Sequence, residues 1–196
     1  HEAVTYAYDA NGRLIREDYG GQDWVDYAYD ANANLTQVVA SQYALTIVKE
    51  GSGSGRVYSV DGQIDCGPTC TGFYSAGVNV VLRAEPATNS VFAGWSGSGC
   101  EGTNDCVVRI QPGTNVTVRA VFKRLYTLKI NLSGNGTGVV AKSDGSLVCS
   151  TSCQAQFVDG TEVTLTATPD PGYMFIKYYG WINTREPIAS LVIDGN

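Results

Sequence analysis

The chain repeats its own sequence without a gap at a spacing of 83 residues, from Tyr43 to Tyr126. YALTIVKEGSGSGRVYSVDGQIDCGPTC, beginning at Tyr43, aligns with YTLKINLSGNGTGVVAKSDGSLVCSTSC, beginning at Tyr126. The matched positions are Cys66 with Cys149, Cys70 with Cys153, Tyr74 with Phe157, Gly77 with Gly160, Phe92 with Phe175 and Trp95 with Tyr178. This repeat predicts two copies of one module, residues 43–122 and 126–196. Only residues 123–125 connect the copies, so we expect a stiff tandem.

Each copy has the pattern of short β-strands separated by glycine-rich turns. In TEVTLTATP the apolar Val163, Leu165 and Ala167 alternate with threonine, which predicts a half-buried antiparallel strand. The chain has 23 glycines and a single methionine, and no window shows helical periodicity. The sequence therefore predicts an all-β protein with two tandem small antiparallel modules.

The charge balance argues against nucleic acid as a partner, and the hydropathy argues against a transmembrane segment. The formal net charge is −6, and no run of Lys or Arg forms the basic stripe that nucleic acids require. No apolar stretch approaches the roughly 18 residues of a transmembrane segment. The chain opens at His1 rather than at a methionine with a signal peptide, from which we expect a piece of a longer protein.

The order of motifs in the first copy resembles a known family. LTIVKEGSGSGRV, DCGPTC, AGVNVVLRAEP, FAGWSGSGC, CVVRI and NVTVRAVF together resemble the divergent internalin B-type repeat of bacterial surface and secreted proteins. The resemblance covers residues 43–122 and, less completely, 126–196. It implies a small β-grasp-like or sandwich-like module that serves as an extracellular spacer or adhesive element, without catalysis.

A second, shorter repeat precedes the modules. YAYDANGRL from Tyr6 recurs as YAYDANANL from Tyr27, and the second copy has Ala33 where glycine is usual. Both resemble the YD repeats of Rhs and teneurin proteins. Residues 1–42 are therefore expected to form strands or a hairpin, either as the end of a YD array or as a simple leader. An accessory fragment of a YD-type toxin shell is a further hypothesis, and it requires more copies upstream.

The six cysteines fall into close pairs within the modules. Their spacing predicts three local disulfides, Cys66–Cys70, Cys100–Cys106 and Cys149–Cys153, and an oxidising compartment. Each bridge would contribute about 2 kcal/mol on the loop-entropy model. A structural zinc site is the alternative, because CxxxC pairs can supply half of a Cys₄ cluster.

Catalytic constellations are scarce in the sequence. His1 is the sole imidazole, which excludes histidine-based triads, and we expect no enzyme activity and no cofactor. Asp9, Asp23, Asp26 and Asp30 are interpreted as turn residues, with calcium binding as the alternative. The matched aromatics at Phe92, Trp95, Phe175 and Tyr178 are interpreted as core.

Two hypotheses concern partners. In the first, Trp24, Tyr179 and Trp181 bind carbohydrate or a host protein as the ligand residues of a surface adhesin. In the second, the protein associates with itself head-to-tail. Ile193 aligns with Ile110, after which the first copy continues as NVTVRAVF, so either the chain is trimmed or the second module has a vacant strand position.

The self-association hypothesis names a donor and an acceptor. The alternating Val4, Tyr6 and Tyr8 resemble the strand VTVRAVF and form the expected donor. The expected acceptor groove comprises Val163, Leu165, Phe175, Leu191 and Ile193. Repetition of this contact would give a filament by donor-strand complementation. The overall prediction is a non-enzymatic extracellular protein for spacing, adhesion or self-assembly.

Overall fold

The computed structural model describes residues 3–20, 23–67 and 70–194, and all regular elements within them are β-strands. The strands are β1 (Thr5–Tyr8), β2 (Leu14–Asp18), β3 (Trp24–Tyr29), β4 (Leu35–Ala40), β5 (Gln42–Glu50), β6 (Gly55–Ser59), β7 (Thr71–Ser75), β8 (Asn79–Pro86), β9 (Ser90–Ser96), β10 (Cys106–Arg109), β11 (Val116–Ile130), β12 (Gly138–Lys142), β13 (Val148–Cys149), β14 (Cys153–Val158), β15 (Thr161–Pro169) and β16 (Ile188–Ile193). The predicted all-β class is confirmed. Among the described residues no helix has the length and apolarity that a membrane span requires.

The chain divides into two compact units. The first comprises His1–Gly51, Gly55–Ala87 and Phe92–Phe122, and the second comprises Ser52–Ser54, Thr88–Val91 and Lys123–Asn196. The first unit thus contains the N-terminal strands and most of the first repeat copy, and the second contains the second copy. The predicted division at residues 42, 122 and 126 and the predicted stiffness of the tandem stay predictions.

The N-terminal sheet is an antiparallel meander in the order β1-β2-β3-β4. Two of its three turns, between β1 and β2 and between β3 and β4, explain why YAYDAN occurs twice. Asp9 Oδ1 accepts hydrogen bonds from the backbone N–H groups of Asn11 and Arg13, both at 2.9 Å. Asp30, its counterpart, accepts the two equivalent bonds at 2.9 and 2.8 Å. The repeated aspartate is therefore the residue that holds each turn, in agreement with its interpretation from sequence.

The first module places its core between two layers. In one layer β5 pairs antiparallel with β7 and parallel with β11, which also pairs with β9. The other layer has the order β10-β8-β6. Side chains that are fully buried between them include Leu45, Val57, Ile64, Val80, Leu82, Val108, Val118 and Phe122. The parallel pair was not anticipated from the sequence, because period-two alternation is the same in parallel and antiparallel strands.

The second module repeats the strand register of the first. Val140 faces Ala167 as Val57 faces Ala84, and Tyr126 faces Phe157 as Tyr43 faces Tyr74. Its sheets are β13-β12-β15-β16 and the pair of β14 with residues 125–130 of β11. The buried core comprises Ile130, Val140, Cys149, Val163, Leu165, Ala167 and Ile193. Residues 173–179, which align with β9, do not form a strand.

Candidate functional site

The cysteines form three local pairs, as the sequence predicted. The Cα–Cα distances are 4.3 Å for Cys66–Cys70, 5.5 Å for Cys100–Cys106 and 5.9 Å for Cys149–Cys153. Every sulfur has its partner within its own module, and the described residues contain no group of three or more His, Cys, Asp or Glu that could hold a metal ion. The second module has Asn183 and Ala189 where the first has Cys100 and Cys106, so it carries one bridge instead of two.

The most exposed apolar surface of the second module is residues 173–181, which we term the aromatic loop. Four of its large side chains are mostly exposed: Met174 at 76%, Ile176 at 64%, Tyr179 at 71% and Trp181 at 69%. The aligned residues of the first copy are the smaller Val91, Ala93, Ser96 and Ser98. Bulky apolar side chains therefore occupy positions where the first copy has small ones, and they contact solvent rather than the core.

A difference between two aligned residues helps to explain why residues 173–179 form a loop instead of a strand. Gly94, in β9, has φ 138°, and a Cβ there would lie 3.0 Å from the carbonyl oxygen of Gly102. The second copy has Lys177 at this position, and a residue with a Cβ rarely adopts that backbone conformation. The Lys177 ammonium lies instead over the ring of Tyr179, 4.2 Å from its centroid.

On its inner side, the aromatic loop makes contacts that the aligned residues of the first copy also make. The Tyr178 hydroxyl donates to the carbonyl oxygen of Pro187 at 3.2 Å, and the aligned Trp95 Nε1 donates to that of Asn104 at 2.7 Å. Phe175 packs against Tyr178 with ring centroids 4.8 Å apart. Partial burial raises the pKa of the Tyr178 phenol. The loop therefore has a fixed inner side, while Tyr179 and Trp181 extend outward.

Two of the predicted donor residues, Tyr6 and Tyr8, lie on β1, the outer strand of the N-terminal sheet, and Val4 directly precedes that strand. β1 pairs with β2 on one side, and no strand of the described residues pairs with its other side. The exposed fractions of Val4, Tyr6 and Tyr8 are 36%, 54% and 59%. An exposed edge strand of this kind presents backbone N–H and C=O groups that another strand can pair with.

The predicted acceptor groove is largely filled by the second module itself. Val163, Leu165 and Ile193 are buried in its core, while Phe175 and Leu191 are half-buried against it. Three of the five side chains therefore do not line an open groove. The unpaired edge of this module belongs to residues 126–130 of β11. These residues pair with β14 on one side and, among residues 123–194, with no strand on the other.

A model of a known protein family matches both modules. The model for the divergent InlB B-repeat domain matches residues 43–125 and 126–186. The chain belongs to the divergent InlB B-repeat family. No curated protein and no solved structure matches it. The two modules are hereafter the first and second B-repeats, whereas the YD resemblance of residues 1–42 and a bacterial origin stay predictions.

The predicted ligand residues belong to different parts of the chain. Tyr179 and Trp181 share the aromatic loop of the second B-repeat. Trp24 lies half-buried in β3, where the Arg16 guanidinium carbon lies 4.9 Å from the ring centroid. Sequence reasoning missed Met174 and Ile176, although a comparison of side-chain size along the aligned copies would have identified both.

Sequence reasoning also missed the side chains that bracket the parallel strands of the first B-repeat. Asn115 Oδ1 accepts a hydrogen bond from the backbone N–H of Ala44 at 2.9 Å. Arg119 and Glu50 form an ion pair toward the other end of the same strands. No local signal marks these contacts, because their partners lie about 70 residues apart in sequence.

Proposed function

We propose that the chain is a non-enzymatic structural part of an extracellular or surface protein and that its B-repeats space and connect other parts. The observation that carries the proposal is the construction of the repeats. Both use the same strand register around a central strand, β8 or β15, and each has a short-range disulfide of its own. Units of this kind can be added in series without redesigning the core. The family and the disulfides are consistent with an extracellular or surface location.

Non-reducing peptide mapping and thermal unfolding of the secreted full chain test this proposal. The expected result is three intramodular bridges and a lower unfolding temperature in reductant. Because each bridge closes a short loop, its removal increases the entropy of the unfolded chain. Six alkylatable thiols in the secreted protein, or an unfolding temperature that reductant leaves unchanged, would contradict an extracellular structural role.

Self-association is the finer form of this proposal, and two unpaired strand edges support it. β1 of one copy would pair with residues 126–130 of the next, which gives a head-to-tail contact. Negative-stain microscopy and light scattering over a range of concentrations measure the assembly. Deletion of residues 1–9, or addition of NVTVRAVF after Asn196, should abolish it. A parent chain that stays monomeric at high concentration excludes strand exchange.

The exposed aromatic loop favours a second candidate function, an adhesin that binds carbohydrate or a host protein. Tyr179 and Trp181 present large ring faces to solvent on a loop whose inner side is anchored. Glycan-array binding by the full chain should be lost on Trp181→Ala. The matched control is Phe73→Ala, which removes an exposed aromatic side chain from β7 of the first B-repeat. Equal loss in both variants would show that the aromatic loop is not the binding surface.

A further inference from the structure

The first B-repeat begins and ends on two parallel neighbouring strands. Residues 45–50 of β5 pair in parallel with residues 116–121 of β11, from Leu45 beside Val116 to Glu50 beside Val121. The chain enters the repeat at the start of β5 and leaves it at the end of this part of β11. Since the strands run in the same direction, the points of entry and exit lie at opposite ends of the pair.

This arrangement determines how tension along the chain acts on the hydrogen bonds. Force applied to the two ends slides β5 past β11, so that all the hydrogen bonds between them carry load together. In an antiparallel hairpin pulled from its adjacent ends, the bonds separate one after another. A pair loaded in shear therefore resists a larger force than a pair of the same length that is peeled.

The side chains of the two strands reinforce the pair. Leu45 and Ile47 from β5 and Val118 and Ala120 from β11 are all buried in the same core, so sliding would disrupt their packing. The pair is also central in its sheet, because β7 flanks β5 and β9 pairs with β11.

The polar contacts that bracket the pair lie where sliding would break them. Asn115 bonds the backbone of Ala44 near the start of the two strands, and Arg119 pairs with Glu50 near the end of β5. Each contact joins a residue of β5 to β11 or to the residue that directly precedes β11. They are therefore loaded together with the backbone hydrogen bonds of the pair.

We propose that the parallel β5–β11 pair is a shear clamp that allows the first B-repeat to bear tension applied along the chain. The proposal rests on the proposed structural function, since a connecting element of a surface protein transmits force between its ends. No strand of residues 123–194 lies parallel to residues 126–130, so the described part of the second B-repeat contains no such pair. The N-terminal sheet, which is an antiparallel meander, lacks it as well.

Single-molecule force spectroscopy of the full chain, with handles fused at both ends, tests the clamp. The N-terminal sheet and the second B-repeat should extend at low force, and the first B-repeat should unfold last. Its extension should be about 25 nm, from roughly 70 released residues at about 3.6 Å each. Reductant identifies this event, because opening its two bridges lengthens the extension by about 3 nm, whereas the single bridge of the second B-repeat adds about 1 nm.

The direction of pulling supplies the decisive control. A handle inserted in the exposed loop at Gly113 and a second handle at the N-terminus load β5 and β11 from the same end, which peels them apart. The unfolding force of the first B-repeat should then fall at least about twofold. Equal forces in the two directions would overturn the clamp. They would leave the structural function standing, since the disulfide mapping described above tests that function independently.

Substitutions at the bracketing contacts give a second measurement. Asn115→Ala and Glu50→Gln should each lower the end-to-end unfolding force by roughly a tenth to a fifth, because each removes one contact loaded in shear. Asp105→Asn is the matched control: it removes the surface ion pair with Arg83, which joins β8 to the residues before β10, and it should leave the force unchanged. Equal responses of all three variants would contradict the proposal.

Discussion

The two B-repeats share the pairing of their central strands but differ in how completely they cover their cores. Tyr43 and Leu45 are 4% and 0% exposed, whereas the aligned Tyr126 and Leu128 are only half-buried. In the first repeat, residues 116–121 of β11 lie beside β5, and Phe122 packs its ring 5.2 Å from that of Phe92. The second repeat has no such strand among its described residues.

One part of the module has the same structure in both copies, and another part differs between them. The strand pairs β6–β8 and β12–β15 have the same register in both copies, so this part forms without the parallel strand. The stretch equivalent to β9 is a strand in one copy and a loop in the other. Its conformation therefore depends on a long-range partner and on the residue at position 94 or 177 rather than on its own apolar pattern.

The largest effect is expected from Phe122→Ala. Phe122 is 1% exposed in the first B-repeat, and truncation of a buried phenylalanine costs about 4 kcal/mol. Hydrogen exchange should show loss of protection in the first repeat alone. Leu165→Ala, the matched variant, removes a buried side chain of the second repeat and should affect only that repeat. A Phe122→Ala chain in which both repeats lose protection equally would show that the two cores are not independent.

Addition of NVTVRAVF after Asn196 should make the second repeat resemble the first. The free energy of unfolding of the second repeat should rise by about 3 kcal/mol, because the new strand would cover half-buried side chains such as Phe175 and Tyr178. Hydrogen exchange and chemical denaturation measure the gain. A tail whose Val, Val, Ala and Phe positions are replaced by serine should give no gain. Equal stabilisation by both tails would refute the idea of a specific strand position.

Exchange of the residues at positions 94 and 177 tests whether the backbone conformation at Gly94 requires a glycine. Gly94→Lys should destabilise the first repeat by about 2 kcal/mol, because φ 138° and the close Gly102 carbonyl both disfavour a side chain there. Lys177→Gly should cost the second repeat much less, since its loop does not use that conformation. Thermal unfolding followed by a probe in each repeat measures both. A Gly94→Lys chain as stable as the parent would contradict the strain argument.

The smallest difference concerns acid sensitivity. Hydrogen bonding to Lys142 and Ser146 holds the pKa of Asp144 well below its ordinary value of 3.8, and Arg56 lowers the pKa of Asp65 in the first repeat. Since both pKa values are lower in the folded state, the stabilisation is complete above pH about 4 and is lost as the pH falls through the lowered values. Carboxyl NMR titration of each residue measures the pKa values directly.

Variants assign the acid effect to one repeat at a time. Asp144→Asn should flatten the acid dependence of stability in the second repeat only, and Asp65→Asn should do so in the first only. The effects should be small, because both carboxylates are on the surface. If Asp144 titrates at its ordinary pKa, its ion pair with Lys142 contributes nothing to the folded state.

Residues with strong local patterns were predicted correctly. The alternation of Val163, Leu165 and Ala167 identified the buried face of β15, and the three cysteine pairs follow from their spacing. The candidate site was predicted less well. Tyr179 and Trp181 were named, but Met174 and Ile176 were missed, and Val163, Leu165 and Ile193 were assigned to a groove although they lie in the core. Alternation shows that one face of a strand is buried but not which partner buries it.

The sequence by itself determined the repeat, the strands, the turns and the disulfides of this protein. Each of these depends on interactions within a few residues or on a two-residue period, as with Asp9 in its turn and the pair Cys66–Cys70. Only the tertiary structure decided that β5 lies parallel to β11 and that residues 173–179 form a loop instead of a strand. Those outcomes depend on which distant strand is available to pair, and pairing over about 70 residues leaves no signature in either local sequence.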